Sequence, residues 1–258
     1  MPNVIETTQN SLVNLLEILA AKPFMSEPEM DSYWQALNQI QMRHQVEISE
    51  INHQVADDPM NEYARLHNRG SLMVDISGWQ LCAGAPEQRV TFAEGTVLAP
   101  FASLNVYTGA GEVNFGSSRP IWNNRGDVGT LYHSDGTVVS RLAYGKKAHP
   151  AIIISHIHFD GENGRGEGDE YVELTNLSEA DAAIAGWRIE SLRNSACFVF
   201  PQNTKMSAGE RVKVFTSKSN CQYNEFSFES AKAIWHNQSG SAKLIDYQDN
   251  EVSTYHYG

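Results

Sequence analysis

The chain of 258 residues has few basic residues and no long apolar run. Each of these two features argues against one class of function. Its 19 lysines and arginines stand against 31 aspartates and glutamates, for a net charge of -12, and the only adjacent basic pair is Lys146-Lys147. Proteins that bind nucleic acids neutralise phosphates with clustered basic side chains, so a nucleic-acid partner is not expected. No stretch approaches the ~20 apolar residues of a membrane helix, so no membrane span is expected either.

Cysteine is also scarce, and the N-terminus lacks a cationic start. The three cysteines, Cys82, Cys197 and Cys221, are an odd number, so one stays unpaired in a monomer, and their positions do not correspond between the two halves of the chain. The only charges before Lys22 are Glu6 and Glu17, unlike the basic beginning of a secretory signal. The expectation is a cytoplasmic protein without a signal peptide.

What the chain does contain is an internal repeat. Residues 62–81 align without a gap on residues 170–189 at an offset of 108, with seven identical positions. Farther along the offset grows to 113, where Ile121-Trp122 match Ile234-Trp235. A period of this size is that of a whole domain and exceeds that of solenoid repeats, so it indicates a tandem duplication.

Residues 1–44 precede the repeat and show helical periodicity. Pro23 ends a first apolar run, and Ser26 is the expected N-cap of a second. The first run contains Leu12, Leu15, Leu16 and Leu19, and the second contains Met30, Tyr33, Trp34, Leu37 and Ile40. This pattern predicts a helical hairpin whose apolar stripe packs on the following domain or on the other helix. Alternatively, Tyr33, Trp34, Leu37 and Ile40 form an interface with another chain.

From about residue 45 the hydrophobic period changes to two. Short alternating segments are separated by turns rich in glycine, asparagine, aspartate and proline, and residues 46–53 and 152–159 are the predicted first strands of the two copies. About seven short strands per copy favour an immunoglobulin-like β-sandwich. The predicted fold is therefore mainly β, with a helical hairpin at 1–44 followed by two immunoglobulin-like β-sandwiches in tandem, at 45–147 and 148–258.

Four residue types recur in both copies as a structural signature. Each asparagine stands at the end of a strand, where its side chain can bond a turn backbone, each glycine suits a positive φ, and each tryptophan is expected to fill the core. The signature residues are Tyr63, Asn68, Gly78 and Trp79 in the first copy and Tyr171, Asn176, Gly186 and Trp187 in the second. Alternation also places Glu170 on the face of Val172 and Leu174, which predicts a strand whose end leaves the core.

Three segments of the second copy carry a resemblance to a known family: DEYVELTNLSEADAAIAGWRI, FVFPQNTKMSAGERVKVFTS and KLIDYQDNEVSTYHYG. Together they resemble a lamin tail domain of the kind found in bacteria. The first copy is similar, with Arg65 in place of Glu173 and Pro100-Phe101-Ala102 in place of the Gly209-Glu210 turn. The resemblance covers about residues 45–258 and implies an immunoglobulin-like fold that serves as an interaction module and has no active site.

An acidic, glycine-rich loop at residues 160–170 is the candidate metal site. Oxygen ligands on a flexible loop suit calcium, the one cofactor that the sequence suggests, although the spacing is not that of an EF-hand. The candidate ligands are Asp160, Glu162, Asn163, Glu167, Asp169 and Glu170. The alternative is a solvated hairpin turn whose charges keep the chain soluble.

No arrangement of residues points to catalysis: the sequence offers no convincing Ser-His-Asp set and no phosphate-binding glycine loop followed by a helix. It therefore predicts a non-enzymatic protein-binding or scaffolding protein, with the acidic loop and the helices as contact surfaces and with a protein partner or self-association. The alternative is a structural subunit of a larger homo-oligomeric assembly in which the N-terminal helices drive assembly.

Overall fold

The structure is a computed structural model that describes residues 44–55 and 58–258, together with Ser26, Pro28 and Met30. The helical hairpin predicted for residues 1–44 lies almost wholly outside the described residues, and so do its candidate interface residues Tyr33, Trp34, Leu37 and Ile40. The described part is mainly β, as the alternating pattern predicts. No helix in it has the length and apolar character needed to cross a bilayer.

The strands run in the same order through both copies. The first copy contains β1 (Val46–Asn52), β2 (Tyr63–Asn68), β3 (Val74–Asp75), β4 (Gln80–Ala83), β5 (Arg89–Thr91), β6 (Val97–Leu98), β7 (Ser103–Tyr107), β8 (Val128–Tyr132) and β9 (Val138–Ala143). The second contains β10 (Ile152–His158), β11 (Tyr171–Asn176), β12 (Asp181–Ala183), β13 (Arg188–Ser191), β14 (Cys197–Val199), β15 (Lys205–Met206), β16 (Arg211–Phe215), β17 (Glu225–Ser227), β18 (Gly240–Ile245) and β19 (Glu251–Tyr257). Short 3-10 turns occupy Pro59–Asn61, Gly145–Lys147, His149–Ala151 and Gly164–Gly166.

The chain divides into two compact units. Unit 1 holds the described residues through Asn123 together with Val128–Leu142, and unit 2 holds Asn124–Asp127 together with Ala143–Gly258. In unit 1, one sheet has the order β1-β2-β7, a second contains β5-β4-β8-β9, and β3 pairs with β6. In unit 2, the sheets are β10-β11-β16-β17 and β14-β13-β18-β19, and β12 pairs with β15. The strand order therefore repeats, except that β17 has no strand equivalent among the described residues of unit 1.

Alternation along the strands builds each core. In β2, Ala64, Leu66 and Asn68 are buried and the residues between them are half-exposed. In the corresponding β11, Val172 and Leu174 are buried. Burying such side chains stabilises each unit by roughly 25 cal/mol per Å² of apolar surface removed from water. Each unit thus has its own core, as a duplicated domain requires.

The first strand of each unit carries the same irregularity. The ladder between β1 and β2 shifts register between Ile48 and Glu50, and the ladder between β10 and β11 shifts between Ile154 and His156. The serine at each shift donates its hydroxyl to a carbonyl of the neighbouring strand, Ser49 Oγ to Arg65 O at 3.2 Å and Ser155 Oγ to Glu173 O at 3.2 Å. A bulge repeated with its bonding serine is a built feature of the fold.

Candidate functional site

The acidic loop of unit 2, residues 160–170, is held together by its own acidic side chains. The Asp169 carboxylate accepts the backbone N–H groups of Glu162 and Asn163, each at 2.9 Å. Burial raises the pKa of Asp169, but these backbone donors outweigh burial and leave the pKa below its usual value. Asp169 therefore closes the loop as a charged anchor.

The side chain of Asn237 contacts two more acidic residues of the loop. Asn237 Nδ2 donates to Asp160 Oδ1 at 3.0 Å and to Glu167 Oε1 at 3.2 Å, so the structure brings Asp160 and Glu167 together. Of the predicted acidic ligands, only Asp160 and Glu162 are exposed. Within the described part of the chain, no group of three or more histidine, cysteine, aspartate or glutamate side chains is arranged to hold a metal ion. Calcium binding at this loop stays a prediction of the sequence.

Glu170 lies at the end of this loop and is fully buried, at 0% exposure. Its Oε2 accepts from Thr216 Oγ1 at 2.9 Å and from the backbone N–H groups of Ile234 at 3.0 Å and Trp235 at 3.5 Å. The expectation that the strand end leaves the core is therefore wrong, because these donors satisfy a carboxyl group inside it. Burial raises the pKa of Glu170 to about 7, the three donors partly offset this effect, and the nearby charge of Glu167 raises the pKa further.

Glu62 makes the same arrangement in unit 1. It is 2% exposed, and its Oε2 accepts from Thr108 Oγ1 at 3.1 Å and from the N–H groups of Ile121 at 3.2 Å and Trp122 at 3.5 Å. Burial raises its pKa too. In each unit this glutamate ties the start of the second strand to the Ile-Trp pair, whose tryptophan is buried. Its role is structural in both copies.

The signature asparagines Asn68 and Asn176 make corresponding side-chain hydrogen bonds in the two units. Asn176 Nδ2 donates to the carbonyls of Ala180, Met206 and Ser207 at 2.9, 3.2 and 3.0 Å, while its Oδ1 accepts the Ser178 N–H at 3.0 Å. Asn68 Nδ2 donates to the carbonyls of Leu72, Leu98 and Ala99 at 2.7, 3.2 and 3.0 Å. Both asparagines are 0% exposed. Each fastens the end of a strand to two separate turns.

The remaining signature residues also occupy matching places. Gly78 and Gly186 have φ of 72° and 74°, a left-handed conformation that glycine adopts without strain. Trp79 and Trp187 are 3% and 0% exposed and belong to the cores. Tyr63 packs edge-on against Tyr107 with ring centroids 5.7 Å apart. Tyr171 packs tilted against Phe215 at 5.4 Å.

The units differ at the outer edge of one sheet. In unit 2, β17 pairs in parallel with β16, matching Lys213 with Glu225 and Phe215 with Ser227. The residue before β17 covers the rest of that edge: Lys213 N donates to Asn224 O at 3.0 Å, and Asn224 Nδ2 donates to Arg211 O at 3.1 Å. The edge of β16 is therefore occupied by the chain's own backbone.

In unit 1 the described residues cover the same edge, that of β7, only at its end. Tyr107 N donates to Val113 O at 3.0 Å, and Phe115 N donates to Tyr107 O at 2.9 Å, around a single parallel bridge between Tyr107 and Asn114. Backbone groups two residues apart on a strand face the same side. The N–H and C=O groups of Ser103 and Asn105 therefore point away from β2, as those of Tyr107 do.

A groove of about 480 Å³ lies along this edge. Its lining residues are Arg65, Ser103, Leu104, Asn105, Tyr107, Glu112 and Val113. Leu104 is half-exposed, whereas its counterpart Val212 in unit 2 is buried. Val113 stands where unit 2 has Phe226, whose ring packs on Phe198 and Phe200 at 5.6 and 5.3 Å. The groove is thus apolar at its floor and offers backbone groups along one side.

A comparison with protein families shows which family the chain belongs to. The model of the Lamin Tail Domain matches residues 40–146 and again residues 146–258. The chain belongs to the lamin tail domain family. The resemblance to the lamin tail domain is therefore confirmed, and the two lamin tail domains are in tandem. A comparison with curated proteins finds no match.

Sequence reasoning did not single out the β7 edge, although the sequence carries its signal. The offset between the two lamin tail domains grows from 108 to 113 between Thr108 and Ile121, so unit 2 has five residues more in this segment. The extra length lies between β16 and β17, in the segment that ends with Asn224, and Asn224 covers the edge. A length difference inside an otherwise matching repeat marks the place where the two surfaces diverge.

Proposed function

We propose that this tandem lamin tail domain protein is a non-enzymatic protein-binding scaffold and that unit 1 binds an extended peptide along the outer edge of β7. The observation that carries the proposal is the edge at Ser103–Asn105, which no backbone of the described residues covers, beside a groove of about 480 Å³. An exposed strand edge offers a row of backbone donors and acceptors to another chain. Addition of a strand to such an edge is a recurring mode of peptide recognition.

Unit 2 supplies the template for the bound peptide. There β17 runs parallel to β16, and Asn224, just before it, accepts from the Lys213 N–H. By correspondence, the peptide in unit 1 runs parallel to β7 and accepts the N–H of Asn105. A peptide side chain placed over Leu104 and Val113 would be apolar, because these residues form the floor of the groove.

Polar side chains beside the groove give the site its selectivity. Arg65 Nε donates to Asn105 Oδ1 at 2.9 Å, and Arg65 Nη1 pairs with Glu50 Oε2 at 2.7 Å. The guanidinium also lies over the Tyr63 ring, 5.1 Å from its centroid. This network fixes Arg65 beside the edge, so a peptide with a carboxylate or amide at that point gains a hydrogen bond from a preordered group.

The test compares the full chain with a variant whose groove is filled. Replacing Gly109–Gly111 by the unit 2 segment Ser217–Asn224 gives unit 1 the loop that covers β16. A displayed library of random peptides is selected on the immobilised wild-type chain, and the enriched peptides are titrated against both proteins. We expect enriched peptides to bind the wild-type chain and to lose most of their affinity for the loop-graft variant, because the graft occupies the Asn105 N–H.

A matched control carries a change at an exposed site of unit 2, Tyr223→Ser, where the side chain is 84% exposed. The enriched peptides should bind this control as they bind the wild-type chain. Equal binding to the loop-graft variant would contradict the proposed site. A selection that enriches no peptide would contradict peptide binding itself.

A further inference from the structure

The outermost strand of one sheet in unit 2 presents uncharged side chains to water. Strand β14 lies at the end of the sheet β14-β13-β18-β19, and its residues Cys197 and Val199 are exposed. Proteins commonly keep such an edge from pairing with another chain by placing charged side chains on it. Strand β14 carries no charged side chain. Its outer side, formed by Cys197, Phe198 and Val199, is called the β14 edge below.

The backbone bonds at the two ends of β14 show which of its groups face outward. Ala196 O accepts a backbone N–H of β13 at 2.9 Å, and Phe200 N donates to the residue before β13 at 2.8 Å. Phe198 lies midway between these two residues and therefore faces β13 as well. The N–H and C=O groups of Cys197 and Val199 point the other way, and no backbone group of the described residues bonds them.

Unit 1 carries a charged residue at the equivalent edge. The ladder of β4 with β5 has the same register as that of β13 with β14, so Arg89 takes the place of Cys197. By the same register, Thr91 takes the place of Val199. Arg89 is exposed, and its Nη1 donates to Gln80 Oε1 at 2.6 Å. A strand that paired with β5 would have to cover this guanidinium, whereas a strand that pairs with β14 meets a thiol and an isopropyl group.

The inner side of β14 belongs to a cluster of aromatic rings. The Phe198 ring packs against those of Phe200, Phe226 and Phe228, with centroids 5.0, 5.6 and 5.7 Å away. Phe198 is nevertheless only half-buried, whereas Phe200 is 1% exposed. A strand added to the β14 edge covers the rest of Phe198, and removing this apolar surface from water favours the addition.

The distribution of charge favours a second copy of the chain at this edge. The whole chain has a net charge of -12, so two copies repel each other where acidic surfaces meet. Residues 191–208, which contain β14 and the loops on either side of it, include no aspartate or glutamate. On the neighbouring β13, Arg188 Nε pairs with Glu190 Oε1 at 2.6 Å. Two copies can therefore approach here without acidic repulsion, and a basic partner finds no acid in the edge or its loops.

We infer that two copies of the chain pair through the β14 edge, antiparallel about a two-fold axis at Phe198. In this register Cys197 of each copy faces Val199 of the other, and the outward backbone groups of these residues exchange four hydrogen bonds. The two Phe198 residues form the central pair, with Cα atoms about 4.5 Å apart, and join the two aromatic clusters. The contact is self-complementary, as a two-fold dimer requires. Because each strand contributes only three residues, the dimer is weak and depends on concentration.

Sedimentation equilibrium of the full chain at rising protein concentration tests this inference. We expect the mass of the wild-type chain to rise with concentration toward that of a dimer. The edge variant, Cys197→Arg with Val199→Thr, gives β14 the residues that β5 has. We expect its dissociation constant to be at least about tenfold higher, because pairing would cover an unpaired guanidinium of each copy.

The matched control makes comparable changes at exposed positions of unit 2 outside β14, Cys221→Arg with Leu177→Thr. Cys221 is exposed like Cys197, and Leu177 is 63% exposed where Val199 is 54% exposed. The control alters net charge by the same amount as the edge variant. It should therefore dimerise as the wild-type chain does.

A disulfide trap tests the register and does not depend on the folding of the edge variant. In a chain that carries Cys221→Ser, the further change Val199→Cys sets the new thiol of one copy opposite Cys197 of the other. The Cα atoms of such a pair are about 5.5 Å apart, which a disulfide spans. Mild oxidation should give a covalent dimer of this variant on a non-reducing gel and none of Cys221→Ser alone, because Cys82 is buried.

Three results would overturn the inference. A wild-type chain that stays monomeric at every concentration forms no such dimer. An oligomer that the edge variant and the control leave equally intact, without a disulfide in the Val199→Cys chain, is built through another surface. A covalent dimer of Cys221→Ser alone would place Cys197 opposite its own copy and so contradict the register. None of these results depends on peptide binding at β7, which belongs to unit 1.

Discussion

The chain is expected to lose about 3 kcal/mol of unfolding free energy in unit 2 as the pH rises from about 4.5 to above about 7, because burial raises the pKa of Glu170 from 4.5 to about 7. Between these values the folded unit keeps the proton that the unfolded chain has released. The stabilisation is therefore complete below the unfolded pKa and is lost as the pH rises through the folded one. Glu62 contributes in the same direction in unit 1, since its pKa is also raised.

Urea unfolding of the wild type and of Glu170→Gln at a series of pH values isolates this effect. The glutamine carbonyl can accept the same donors from Thr216, Ile234 and Trp235 but has no proton to lose. We expect the difference between the two proteins to change by about 3 kcal/mol across the interval. The histidines are common to both and cancel in the difference. Parallel stability curves would contradict the prediction, because they would show that folding does not raise the pKa of Glu170.

The variant Glu167→Gln tests what raises the pKa of Glu170. Glu167 lies close enough to raise the pKa of Glu170, and one buried carboxylate oxygen of each, Glu167 Oε2 and Glu170 Oε1, has no hydrogen-bond partner among the described residues. Glu167→Gln removes the negative neighbour, so the midpoint of the stability change should move to lower pH. A midpoint that stays in place would assign the whole shift to burial.

The second large effect is expected at the buried asparagine. Asn176→Ala should lower the free energy of unfolding of unit 2 by about 3 kcal/mol, since it leaves carbonyls of Ala180, Met206 and Ser207 without the amide that bonds them, and an unsatisfied buried group costs roughly 1–3 kcal/mol. Asn68→Ala should do the same in unit 1. Urea unfolding followed by tryptophan fluorescence measures both, because each unit contains buried tryptophans.

The matched control is an exposed asparagine that also donates to a carbonyl. Asn224 Nδ2 bonds Arg211 O at 3.1 Å at the surface, where water can replace the lost donor. Asn224→Ala should therefore cost less than about 1 kcal/mol. If Asn176→Ala costs no more than Asn224→Ala, the buried amide is not what fastens the end of β11 to its turns.

Much of the fold can be predicted from the sequence because the two copies can be compared position by position. A residue repeated at one offset, such as Asn68 and Asn176, is constrained by the same local geometry in both copies, and its position at a strand end points to a turn-bonding role. Two-residue periodicity likewise predicts first strands at 46–53 and 152–159, within one residue of the observed β1 and β10. These features depend on local spacing, which a sequence displays directly.

The rest depends on long-range contacts, which spacing does not encode. Glu170 is an acid beside an acidic loop, and its burial becomes understandable only when Ile234 and Trp235 are brought to it from 64 and 65 residues away. The Asp169 carboxylate accepts two backbone N–H groups within the loop, a contact that the run of acids in the sequence does not reveal. The open edge of β7 is visible only once β17 is seen to cover the equivalent edge of β16.

The most direct test of the central claim is amide hydrogen exchange at two equivalent positions of the wild-type chain. Lys213 N donates to Asn224 O, whereas in unit 1 the backbone bonds of described residues to this edge are those at Tyr107. The account predicts slow exchange at Lys213 and much faster exchange at Asn105, with Asn105 becoming protected when a selected peptide is added. Equal protection of the two amides in the free chain would contradict it, because the β7 edge would then already be covered.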